Sequence, residues 1–206
     1  MKLKLEMEMR KTIVAAALAL VAFTPAFAQT QRIAGTIDRM TEDGMIVQPI
    51  AGGDKYEIVL ADKVTVFDVS KAKLTDIKPG AFIGVGATPR PDGSQRAIQI
   101  TMFTESQRGL GEGHRPWDRA PNGTMTNGTV GQTVASVDGP VLTVKYKGGE
   151  KKIVVPADAT ILGYSSGDKS ELKPGVRVAI SGAKKRSDGK FEAGRVNVGR
   201  GDVVPR

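Results

Sequence analysis

A ten-residue phrase occurs twice in this chain and restricts its architecture more than any other feature. Asp76-Ile77-Lys78-Pro79-Gly80-Ala81-Phe82-Ile83-Gly84-Val85 returns as Glu171-Leu172-Lys173-Pro174-Gly175-Val176-Arg177-Val178-Ala179-Ile180. Pro presets φ at the second position of a turn and Gly accepts the positive φ of the third, so each copy predicts a reversal that feeds a strand. Alternate residues after the Gly then share one buried face: Ala81, Ile83 and Val85 in the first copy, Val176, Val178 and Ile180 in the second.

The copies match beyond the phrase. Gly35-Thr36-Ile37 answers Gly128-Thr129-Val130 at an offset of 93, Ala61-Asp62 answers Ala157-Asp158 at 96, Asp92-Gly93 answers Asp188-Gly189 at 96, and Lys-Pro-Gly repeats at 95. Self-similarity at a near-constant offset marks a duplicated unit. In the last strand of each copy, Ile100 and Met102 correspond to Val196 and Val198 as inward residues, while Gln99 and Thr101 correspond to Arg195 and Asn197 as outward ones. Each copy reads as five or six short antiparallel strands with Gly turns such as Asp138-Gly139. So few strands bury a core best by curling into a barrel. The expected fold is all-β, with two tandem small antiparallel OB-like β-barrels over residues 29–103 and 128–200. A Gly/Pro-rich loop, 104–127, joins them; a signal-peptide helix, 1–28, precedes them and a tail, 201–206, follows.

Lys2, Lys4, Arg10 and Lys11 come before an apolar run over 13–23 that ends in Pro25-Ala26-Phe27-Ala28. A basic start, a short apolar stretch and small residues before the cut predict a secretory signal cleaved between Ala28 and Gln29, with Met9 a second candidate start. The run falls short of a bilayer span. The expectation is an exported soluble protein, periplasmic in a cell with two membranes and secreted otherwise, with no integral span after cleavage. With no Cys in the chain, no disulfide can staple it and packing must supply its stability.

The joint at 104–127 holds the only His and the only Trp. Trp117 is expected to plug a groove and tie the connector down. Arg115, Trp117 and Arg119 are also candidate partner-binding residues, because aromatic and Arg side chains dominate binding hot spots. An alternative reading makes Glu112, His114 and Asp118 metal ligands.

The formal charge is +8. Bases and acids balance in the first copy and in the joint, so most of the excess follows Gly128. Lys145, Lys147, Lys151 and Lys152 flank one hairpin, and Lys184, Lys185, Arg186 and Lys190 surround the loop before the last strand. Clustered cations of this kind attract anions from a distance. Export and the scarcity of stacking aromatics argue against nucleic acid. The expected partner is an envelope protein or an anionic envelope component, lipid head group or glycan. No cofactor is expected. The chain offers no nucleophile beside a base, no Gly-x-Ser-x-Gly elbow and no phosphate-cradling Gly-x-x-x-x-Gly-Lys, so it does not read as an enzyme.

Taken together, the Gly-Thr-Val start, the Asp-Gly hairpin, Ala-Asp-x-Thr, Leu-Lys-Pro-Gly-x-x-Val and the Asp-Gly-x-x-x-Ala ending make a pattern. It resembles a bacterial family of exported OB-like β-barrel domains of unassigned function, twice over. The second copy follows the pattern more closely; the first departs with Ile77 in place of Leu and with Ala81-Phe82 after the Gly. The resemblance implies fold and export and carries no catalytic residue. The functional expectation is an exported, non-catalytic binding or adaptor protein of the cell envelope. Similar chains are associated with metal transport, so a metal-binding accessory protein is the second expectation.

Overall fold

The computed structural model describes residues 30–205; the expected leader, its cut between Ala28 and Gln29, and Arg206 lie outside them. The described strands are β1 Thr30–Met40, β2 Gly44–Pro49, β3 Tyr56–Lys71, β4 Phe82–Pro89, β5 Gln95–Met102, β6 Gly113–Pro116, β7 Thr124–Val134, β8 Val141–Tyr146, β9 Gly149–Val154, β10 Thr160–Ser166, β11 Arg177–Lys185 and β12 Phe191–Gly199. Short 3-10 turns are the only helical elements among the described residues, and none is long and apolar enough to cross a membrane. The expected all-β class is therefore observed.

Both Lys-Pro-Gly phrases make the turn their residues predict. Gly80 and Gly175 each have φ 86°. Ala81 N–H donates to Lys78 O at 3.0 Å and Val176 N–H to Lys173 O at 3.1 Å. In the strands that follow, Ile83 and Val85, and Val178 and Ile180, are almost fully buried, with Ala81 and Val176 packed at the margin.

Which copy each strand pairs with differs from the expectation. A closed five-strand barrel, ring one, runs β1-β2-β3-β12-β11 and back to β1. It joins the first three strands of one copy to the last two of the other. A second circuit, ring two, runs β4-β5-β9-β8-β7 and back to β4, its β5–β9 seam reduced to the pairs Gln95–Ile153 and Arg96–Val154. The exchange is reciprocal at the atomic level. Gly80 N–H of the first copy donates to Val130 O of the second at 2.8 Å, and Gly175 N–H of the second donates to Ile37 O of the first at 2.8 Å.

Strand length accounts for the crossing. β3 runs 16 residues without a break, while the strands it meets in ring one have 6 and 9. At about 3.3 Å per residue it overshoots one barrel and carries the chain toward the other. In the second copy the same path is broken near Pro156 into β9 and β10, and β10 makes the return crossing between β3 and β5. The antiparallel β3–β10 ladder pairs Phe67 with Ser166, Val69 with Tyr164 and Lys71 with Leu162. Since the offset of 95 maps Phe67, Val69 and Lys71 onto Leu162, Tyr164 and Ser166, the ladder maps onto itself. Val69 opposite Tyr164 marks a local two-fold axis between the rings.

Each ring consequently buries a core drawn from both copies. Ring one holds Ile33, Met45, Ile58 and Leu60 with Val178, Ile180, Val196 and Val198, and Leu172 packs into it. Ring two holds Ile83, Val85 and Ile100 with Val130, Leu142, Val144 and Ile153, and Ile77 packs into it. The aliphatic residue ahead of each Lys-Pro-Gly thus enters the core of the ring that its own strand joins. Val69, Leu162 and Val203 form a small cluster at the junction.

Candidate binding cleft

The connector between the copies is more ordered than its Gly and Pro content predicts. β6 pairs with the start of β7, His114 opposite Thr126 and Pro116 opposite Thr124. Trp117 N–H donates to Gly123 O at 2.8 Å and closes the intervening loop. Asn122 takes a φ of 53°, the left-handed region that Asn tolerates better than most side chains. The Asn127 amide donates from Nδ2 to Leu110 O at 2.9 Å, and the Trp117 ring lies against the backbone of Gly86 in β4. A Cβ on Gly86 would fall 2.5 Å from Trp117 Cη2. The connector is therefore fastened to ring two, with Trp117 in a groove as the sequence led one to expect.

Between this connector, the β3–β10 junction and the outer face of ring one lies a cleft of about 420 Å³. Arg115, Trp117 and Arg119 reach it from the connector, Arg32 from β1, and Arg195 with Asn197 from β12, while Val69, Leu162 and Tyr164 of the junction also line it. Gln99 and Thr101 of β5 stand where Arg195 and Asn197 stand on β12. The positions read as outward on the last strands are thus turned toward this space and not into bulk solvent; Asn197 is only 3 % exposed.

Among the described residues, four arginines and no carboxylate line the cleft. Among the described residues, no acid comes within salt-bridge distance of Arg32, Arg115 or Arg195. Arg115 Nη1 donates to Gly111 O at 2.6 Å, Arg119 stacks over the Trp117 ring at 6.0 Å, and Arg195 over the Phe67 ring at 5.6 Å. Tyr164 stacks on Phe103 with ring centroids 5.7 Å apart and meets Phe67 edge-on at 6.1 Å. Burial raises the Tyr164 phenol above its ordinary range, and the nearby guanidinium groups of Arg195, Arg119 and Arg32 pull it partly back. The phenol stays protonated at neutral pH, a donor among cations. Asn127 and Asn197 each leave a buried carboxamide oxygen without a partner. An orphaned buried acceptor costs about 1–3 kcal/mol, which makes the polar lining expensive as a mere seam between barrels.

The other charged candidates lie elsewhere. Lys145, Lys147, Lys151 and Lys152 belong to the β8–β9 hairpin of ring two, whereas Lys184, Lys185, Arg186 and Lys190 belong to the β11–β12 hairpin of ring one. Both hairpins belong to the basic second copy, and the exchange of strands divides them between the rings. Arg186 pairs with Asp188 at 3.3 Å and Glu192 at 3.7 Å, and Lys190 pairs with Glu57. None of the eight lines the cleft.

Glu112, His114 and Asp118 are not gathered into a metal centre. Among the described residues no group of three or more His, Cys, Asp or Glu side chains could hold a metal ion. Glu112 Oε1 accepts the Lys147 backbone N–H at 3.0 Å, and His114 Nδ1 hydrogen-bonds Thr126 Oγ1 at 2.8 Å with its ring stacked on Tyr146. Burial, aided by the Lys151 ammonium, lowers the His114 pKa below its ordinary value.

Of the residues lining the cleft, the sequence singled out Arg115, Trp117 and Arg119 as binding candidates and did not single out Arg32, Tyr164 or Arg195. The available signal was the pair of outward polar residues on the last strand of each copy, read as solvated because nothing in one copy says that a second ring faces it. No family model, curated protein or solved structure matches the chain.

Proposed function

We propose that this chain is an exported, non-catalytic binding protein of the bacterial cell envelope, built on OB-like barrels, which holds an anionic ligand in the cleft between its rings. The observation that carries this reading is that the described residues lining the cleft include four arginines and no carboxylate. Guanidinium groups recognise carboxylate and phosphate by paired, charge-assisted hydrogen bonds. A cleft lined by one sign of charge focuses the field and raises the local concentration of the opposite ion. The signal-like leader supports export, and His114, hydrogen-bonded to Thr126 and stacked on Tyr146, is not among the described residues that line the cleft.

Trp117 lines the cleft and is the only Trp, so its emission reports occupancy directly. Titration with inorganic phosphate, glucuronate and vesicles containing phosphatidylglycerol is expected to give a saturable change with at least one of them. That change weakens as salt rises and is lost in Arg32→Gln/Arg195→Gln. No saturable response to any of the three, or a response indifferent to the double substitution, would overturn the reading.

A further inference from the structure

We infer that the cleft takes an oxyanion carried on a hydroxyl-bearing skeleton, a sugar acid or a polyol phosphate, whose hydroxyl groups donate to Asn127 and Asn197. This rests on the anion-binding reading and names the ligand class. The two rings supply the two kinds of contact. On ring one the register of the β1–β11 and β11–β12 ladders sets Arg32, Ser181 and Arg195 in a row across three strands, and all three line the cleft. Asn197 follows Arg195 by two residues on β12 and so shares its face. Ring two contributes Asn127 of β7.

Both carboxamides offer an acceptor. Asn127 is 4 % exposed and Asn197 3 %, and among the described residues the Oδ1 of each is buried without a hydrogen-bond partner. Asp68 and Glu171 also carry such an oxygen, but those carboxylates share the Arg200 guanidinium. The two that remain both line the cleft. Leu110 O accepts from Asn127 Nδ2 at 2.9 Å, which fixes that amide with its oxygen as the free end. The oxygen lies over Gly84, itself part of the lining, where a Cβ would come within 2.8 Å of it. A side chain at this position would crowd the acceptor, and glycine leaves room beside it. Guanidinium groups only donate, so they meet the oxyanion, whereas the two acceptors require a ligand that also donates. A sugar acid or polyol phosphate does both, and a cleft of about 420 Å³ is of the size that encloses small molecules. The shared chemistry is an oxyanion beside hydroxyl groups, whether on a free molecule or on the head group of a lipid.

The experiment pairs anions that differ chiefly in their hydroxyl groups, on the full chain, read by Trp117 emission and by calorimetry. Glucuronate is set against cyclohexanecarboxylate, and glycerol 3-phosphate against propyl phosphate. Vesicles of phosphatidylglycerol against phosphatidylethanol, at equal surface charge, ask whether the source is a lipid. The expected result is a preference of at least about tenfold for the hydroxylated member of one or more pairs. In Asn197→Leu that preference falls to within about threefold while the hydroxyl-free anion still binds, and the melting temperature does not drop, because the substitution removes an orphaned acceptor. Arg32→Gln/Arg195→Gln instead weakens both members of a pair alike.

Equal affinity within every pair, or a preference that survives in folded Asn197→Leu, would overturn the inference and leave the anion-binding reading standing. The paired probes need no variant, so if Asn197→Leu fails to fold the comparison on the native chain decides. If no probe binds the native chain, both fall. A preference confined to the vesicles assigns the ligand to lipid, and one confined to the free probes to a soluble anion.

Discussion

Gly86 carries no side chain because the Trp117 ring occupies the space where one would begin. The contact is between an aromatic face and main chain, so neither partner can yield without moving the connector. Gly86→Ala is expected to lower stability by about 1–3 kcal/mol, the usual cost of forcing a methyl into filled space. It should also shift the Trp117 emission to the red as the ring leaves its groove. Unchanged emission in a folded variant would show that the connector does not rest there. At this scale the sequence was informative about Trp117, since a lone large aromatic in a Gly/Pro stretch gains most by burial. It was silent about Arg195 and Asn197, because alternation separates the two faces of a strand without saying what the outer face meets.

Among the elements, the starting strand of each copy carries a sharp constraint. A Cβ at Gly35 of β1 would fall 2.2 Å from Gln48 O, and one at Gly128 of β7 would fall 2.3 Å from Lys145 O. Both glycines let the strand approach its hairpin neighbour closely, beside register shifts in the same ladders. Gly35→Ala and Gly128→Ala are each expected to cost about 1–3 kcal/mol in urea denaturation, because the clash is with backbone that cannot rotate away. A tolerated substitution at either position would contradict the geometry of that ring. The turns, the strand alternation and the burial of Ile83, Val85, Val178 and Ile180 were all legible, since they follow from local chemistry. β6 was not. Gly113 and Pro116 argue against a strand, and its four residues are held by β7 through tertiary pairing that overrides their own preference.

For the whole molecule, duplication was legible and partnership was not. Two copies with the same turns and the same inward residues can close a ring within a copy or across copies with identical chemistry, the ambiguity that domain swapping exploits. What separates the two outcomes is the unbroken run of β3, and its length is evident only once the strand has formed. The cleft follows from the exchange. Arg32 of the first copy and Arg195 of the second become neighbours in one barrel because β1 and β12 both flank β11, and the connector must then pass over the space between the rings.

The absence of any native Cys permits a clean test of this central feature. In the structure Thr36 of β1 faces Arg177 of β11. In a barrel confined to one copy, Arg177 would face Thr129, the counterpart of Thr36 in the second copy. Directly paired antiparallel residues sit about 4.5–5.5 Å apart at Cα, within the range a disulfide spans. Mild oxidation of the folded Thr36→Cys/Arg177→Cys variant is predicted to give an intramolecular disulfide in high yield, while Thr129→Cys/Arg177→Cys remains reduced. Cross-linking of the second pair in preference to the first would contradict the interleaved fold and the cleft that depends on it.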